Sequence, residues 1–178
     1  MRQGTSSLRL VVVALLATVT IVAGRTVGGQ QPTGEPFSTA IIKLKDGLYV
    51  IPGYDGAATG GNVAGRVTSE GVIVVDSKLP VLYGDIVSKV KSVSAQPIKY
   101  LLNTHQHGDH TGSNAQFMKT TEILMHRNAR ANMLEGNLPG PGRIVFTDQQ
   151  FVFLGGIEVQ MRDSGAGRIV PSPGTRLR

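Results

Sequence analysis

Asn103-Thr104-His105-Gln106-His107-Gly108-Asp109-His110 carries three of the chain's four histidines, together with Asp109, in the six residues from His105 to His110. Neutral imidazole and carboxylate are good ligands for zinc and other first-row divalent ions. The segment follows the apolar run Ile98 to Leu102, which reads as a buried strand. The ligands therefore leave the strand's carboxyl end in a loop, where parallel-sheet proteins build their sites. A solvated polar loop is the plainer alternative, and three His with one Asp at this spacing argue against it.

Working outward, the flanking sequence predicts a mixed sheet with helices packed on it. Ile41 to Leu44, the pair Asp46-Gly47, and Leu48 to Ile51 predict a hairpin with a type I′ turn. Gly60-Gly61-Asn62 reads as a turn leading into a strand over Val63 to Val67. The continuous apolar run Val72 to Val75 predicts a strand ending at Asp76. Leu82, Ile86, Val90 and Val93 recur at helical spacing, with Asp85, Lys89 and Lys91 on the other face. Beyond the His/Asp loop, a short helix is expected over 114–119, a strand at Ile123 to Met125 and a helix over 128–134. A Gly/Pro loop from Gly136 to Gly142 follows, then strands at 144–146, 151–154 and 157–161, the last two joined by Gly155-Gly156. Antiparallel hairpins followed by β-α-β alternation indicate an α/β (α+β) domain.

With 178 residues the chain has room for one domain of ordinary core size. Residues 1–24 read as an export signal: Arg2 and Arg9 precede an apolar run from Leu10 that suits a signal-peptide core and is short for a bilayer span. Cleavage is expected near Gly24, with Gly29 as an alternative and an uncleaved anchor as the competing reading. Residues 25–40 read as a linker. There is no cysteine, hence no disulfide and no thiolate ligand. The net charge of +6 comes from the ends: residues 30–161 hold eleven basic and eleven acidic residues. No electrostatic footprint for nucleic acid remains. The expected partner is a small-molecule substrate, with no stable membrane anchor after signal cleavage.

The run His105-x-His107-x-Asp109-His110, continuing Thr111-Gly112-Ser113-Asn114, resembles the metallo-β-lactamase-fold hydrolases. The hairpin start, the strand ending in Asp76, and Met125-His126-Arg127-Asn128-Ala129-Arg130 extend the likeness over residues 41–161. The resemblance implies a helix-sheet-sheet-helix (αββα) sandwich, of which this chain holds the N-terminal part. It implies that His105 and His107 bind a first zinc, and that Asp109 and His110 bind a second. It gives Asp109 the catalytic task of orienting the attacking hydroxide, and Asp76 the support of the metal loop through hydrogen bonds. Zinc lowers the pKa of bound water toward ~7, which makes hydroxide available to attack a carbonyl. Gly108 is expected to let the loop turn tightly. His126, beyond a separate strand, is expected on the surface or capping a helix rather than ligating.

The family also needs a third His, a bridging acid and a final His further on. After Met161 the sequence offers Asp163 as the one acid, no His, and a tail rich in Arg, Pro, Ser and Gly. Residues 162–178 thus read as non-homologous and disordered in composition. Arg168-Ile169 can be encoded with a His codon in a shifted frame, so a frameshift is one expectation and a natural short paralogue another. On either, the chain is expected to hold one zinc or none and to turn over little. Leaving ~500 Å² of apolar sheet uncovered would forgo about 12 kcal/mol. The family function expected is a periplasmic or secreted zinc-dependent hydrolase of a cyclic amide or ester of β-lactam type. Lactonase and thioesterase activities share the loop. A catalytically inactive remnant that binds one metal ion weakly is the alternative.

Overall fold

The computed structural model describes residues 40–53 and 60–163. The signal and linker readings lie outside the described residues save for residue 40, and the tail reading lies outside them save for Arg162 and Asp163. Contacts divide the chain into Met1–Thr33 and Gly34–Arg178, and every described residue belongs to the second unit.

Nine strands and four helices are found among the described residues. Strands β1 (Ile42–Lys45), β2 (Leu48–Ile51), β3 (Val63–Val67) and β4 (Val72–Val75) form an antiparallel meander. From β4 the sheet continues in parallel through β5 (Ile98–Leu102), β6 (Glu122–His126) and β7 (Ile144–Phe146). The order is β1-β2-β3-β4-β5-β6-β7. The crossovers carry α1 (Tyr83–Val93, entered through a 3-10 turn at Pro80–Leu82), then α2 (Gly108–Thr111) and α3 (Asn114–Phe117), then α4 (Arg127–Glu135). Strands β8 (Gln149–Leu154) and β9 (Ile157–Arg162) make a separate antiparallel pair.

The pleat explains why the middle strands are apolar throughout. Successive side chains point to opposite faces. Val72, Val74, Leu101, Ile123 and Met125 join a core with Ile86, Val90, Phe117 and Met133 of the helices. Ile73, Leu102 and Leu124 face the other way, into a core with Val152, Leu154 and Met161 of the β8–β9 pair. Strands covered on both sides carry unbroken apolar runs rather than alternation. The described residues thus form helices, a seven-stranded sheet and a two-stranded sheet, three of the four layers expected.

One local expectation is corrected. Asp46-Gly47 is not a type I′ turn, because only Gly47 takes positive φ, at 69°. The register slips between Lys43 and Lys45 instead. A bulge absorbs the strand twist and spares the non-glycine residue a left-handed conformation. Gly155 and Gly156 both have positive φ, 53° and 76°, and that pair closes the β8–β9 hairpin. On α1, Asp85 and Lys89 stand one turn apart. They pair with each other, and their side chains are 14% and 12% exposed.

Candidate metal centre

The site sits at the carboxyl ends of β4 and β5, held side by side by their parallel pairing, with Val75 opposite Leu102 and Asp76 N–H donating to Leu102 O at 2.9 Å. The ligand segment begins as the expected loop but does not stay one. Gly108–Thr111 is a turn of helix, and His107 stands at its N-cap with φ −63° and ψ 145°. His107 O accepts from His110 N at 2.9 Å and from Thr111 N at 3.0 Å. The Thr111 hydroxyl donates back to His107 O at 3.0 Å. Helical winding, not a special glycine conformation, brings the ligands round. Gly108 has no positive φ, and a Cβ there would meet nothing within 4 Å.

A four-residue helix leaves carbonyls without intrahelical partners, and here buried donors from other segments take them up. His110 O accepts from Ser77 N at 2.8 Å, from the Ser77 hydroxyl at 3.2 Å and from Asn103 Nδ2 at 3.3 Å. Asn103 is itself tied to Asn114, whose Nδ2 donates to Asn103 Oδ1 at 2.8 Å, and both side chains are fully buried.

Asp76 is the hub beneath the imidazoles. It is a non-glycine residue at φ 63°, and Lys78 just beyond lies at φ 53°. Such conformations cost on the order of 1–3 kcal/mol and persist where surrounding contacts over-determine them. The Asp76 carboxylate accepts from Thr104 N at 2.8 Å, from the Thr104 hydroxyl at 2.7 Å and from His110 Nδ1 at 2.8 Å. The tautomers follow. His110 Nδ1–H donates to Asp76, so Nε2 keeps its lone pair. The Thr104 hydroxyl hydrogen is committed to Asp76, so His105 Nδ1–H donates to the Thr104 oxygen at 3.0 Å. That leaves His105 Nε2 with its lone pair, 3.1 Å from His107 Nδ1.

His105, His107 and Asp109 each offer a donor atom, all within 4.8 Å of one another. Ligand atoms 2.0–2.1 Å from a tetrahedral zinc stand roughly 3.3 Å apart. The 3.1 Å between the two imidazole nitrogens is close to that spacing, so these residues fit the metal the donor set suggests. His110 stands outside this three-residue group but against it, its Nε2 3.3 Å from Asp109 Oδ2 and its ring centroid 4.1 Å from that of His105. Electrostatics separate the rings. Burial, reinforced by the neighbouring His110, pushes His105 below the ordinary imidazole range. The hydrogen bond that His110 donates to Asp76 pulls it above that range.

Among the other candidates, His126 is buried rather than on the surface, and it caps a helix. Its Nδ1 accepts from Asn128 N at 3.2 Å at the start of α4, and its Nε2 donates to Thr147 O at 2.7 Å. With both ring nitrogens so used, neither is free for a metal. Asp163 lies 3.7 Å from His126. The contribution of Ser77, Asn103 and Asn114 is not visible in sequence, because single polar residues beside a motif carry no periodic or spacing signal.

The metallo-beta-lactamase superfamily model matches residues 63–130. No curated protein matches the chain in sequence. Among solved structures, a metallo-beta-lactamase from Pontibacter korlensis shares 17% identity at a TM-score of 0.61, covering 68% of this chain and 58% of its own. The class B3 di-zinc metallo-beta-lactamase LRA-12 from an Alaskan soil metagenome shares 20% at 0.61, covering 71% of this chain and 52% of its own. The subclass B3 enzyme BJP-1 of Bradyrhizobium japonicum shares 24% at 0.58, covering 72% and 53%. The likeness to these structures is one of fold, and the chain spans a little over half of their length. Residues 63–130 thus match the metallo-beta-lactamase superfamily, and the described architecture shares the fold of these enzymes.

Proposed function

We propose that residues 105–110 are the zinc centre of a hydrolase acting on a cyclic amide or ester of β-lactam type. The observation that carries the reading is the convergence of His105, His107 and Asp109 at the carboxyl ends of two parallel strands. Zinc held there supplies Lewis acidity and lowers the pKa of bound water to about 7. The chain's own residues do the rest. His105 and His107 offer nitrogen lone pairs, and Thr104 fixes the His105 tautomer. Asp109 offers a carboxylate, the group suited to orienting the nucleophile and accepting its proton. Asp76 holds His110 through Nδ1, which leaves Nε2 beside Asp109 to meet an ion. The likeness to class B3 enzymes supports the β-lactam substrate class. In the same proposal the protein works in the periplasm or outside the cell, on the strength of the apolar run after Arg9. No helix among the described residues is long and apolar enough to cross a membrane.

A second reading has its own observation. Among the described residues a single group of three donors converges, which suits one ion bound weakly without turnover. Nitrocefin hydrolysis, assayed with a lactone and a thioester beside it, separates the two. Hydrolysis abolished by chelation and restored by zinc supports the hydrolase. Zinc bound without turnover of any of the three supports the one-ion remnant, and turnover untouched by chelation contradicts both.

A further inference from the structure

Gly60-Gly61-Asn62 reads in sequence as a turn, yet its position gives it more to do. Gly61 N–H donates to Asp109 O at 3.1 Å. Gly60 has φ 77°, and a Cβ on it would stand 2.5 Å from the same carbonyl oxygen. A Cβ on Gly61 would collide with Cε1 of His110 and lie 2.7 Å from its Nε2 and 2.9 Å from its Nδ1. The ring has little room to retreat, because Asp76 holds Nδ1 and the His110 carbonyl is fixed by Ser77 and Asn103. Gly61 shows no left-handed φ, so glycine is required there for space and not for conformation. Gly65 on the next strand is a useful contrast, since a Cβ there would meet nothing within 4 Å. Asn62 secures the segment, its Oδ1 accepting from Gly53 N at 2.7 Å.

We propose that Gly60–Gly61 is a positioning element of the metal centre. Its backbone N–H fixes the Asp109 carbonyl, and its missing side chain keeps the Nε2 edge of His110 open to an ion. Any side chain at position 61 displaces the imidazole from Asp76 or occupies the space an ion needs. The inference rests on the metal reading above and adds to it a pair of residues that touch neither ion nor substrate.

Cobalt(II) titration of the purified full chain, followed by its visible ligand-field bands, tests this in the parent, G61A and G65A. The expected result is binding about tenfold or more weaker in G61A, the range for residues that orient ligands. The bands should also change, while G65A matches the parent in both affinity and bands. Equal affinity and identical bands in parent and G61A overturn the proposal, as does a G61A that melts lower yet binds cobalt unchanged. Absence of cobalt binding in the parent refutes the metal reading and this one with it. Should G61A fail to melt cooperatively, N62A decides, since it unties the segment without inserting any atom. Weaker cobalt binding in N62A supports the proposal, and unchanged binding overturns it.

Discussion

At the scale of single residues the site divides into groups that face the proposed metal position and groups that hold them. The facing residues were legible because ligand spacing within one short segment is itself a chemical signal. His105, His107 and Asp109 needed only the residue types and a preceding strand to be singled out. Asp76 was legible more weakly, as a carboxylate at a strand end. Its three accepted hydrogen bonds depend on a left-handed backbone that no sequence pattern announces. Gly61 was read as part of a turn because its role is steric and long-range. The expected outcome for Asp76→Ala is metal affinity lower by roughly 10–100-fold. A cost of about 1–3 kcal/mol for the buried donors left unpaired should accompany it. Zinc-binding calorimetry and thermal melting read the two effects separately, and unchanged affinity would remove Asp76 from the metal centre.

At the scale of elements, long apolar runs told the truth and short polar ones did not. β4, β5 and β6 were plain because strands covered on both faces have no alternation to obscure them. α2 was missed because four residues containing Gly, Asp and His carry no helical period. The helix face of α1 was read correctly for Ile86 and Val90, while the pairing of Asp85 with Lys89 carried no signal beyond their spacing. Lys78 shows what lies nearby. It is 2% exposed and donates through Nζ to Pro52 O at 2.8 Å, joining the β4–α1 connection to the end of β2. Burial, with Lys89 adding to it and Asp85 opposing, lowers its pKa to about 8 from 10.5. A folded-state pKa below the unfolded value means the unfolded chain binds more protons between these values, so stability rises with pH across that window. The penalty is fully present below about pH 8 and is relieved as pH approaches 10.5. In total it is on the order of 3 kcal/mol. Denaturant midpoints for parent and Lys78→Met, measured from pH 7 to 10.5, should shift in the parent's favour as pH rises. A constant difference over that range would show that Lys78 is not held in this way.

At the scale of the whole molecule, the seven-stranded sheet is covered on one face by helices and on the other by the β8–β9 pair. That pair does for Ile73, Leu102 and Leu124 what α1, α3 and α4 do for Val74, Leu101 and Met125. Met161, 1% exposed, is its deepest side chain. Met161→Ala should destabilise the folded chain by about 2–5 kcal/mol, read from the denaturant midpoint, and a loss under 1 kcal/mol would mean the pair contributes little. The outward side of β8 exposes Phe151 and Phe153, 37% and 68%. The architecture was legible from the order of hairpins and β-α-β units. The hairpin register was not, because a bulge and a type I′ turn share the Asp-Gly signature. The metal loop of this fold is proposed to hold an ion in this chain. Zinc content after purification and dialysis, compared between the parent and a His105→Ala/His107→Ala double variant, tests it most directly. The expected result is about one zinc per parent chain and none in the variant. Equal zinc in the two, or none in a cooperatively melting parent, would contradict it.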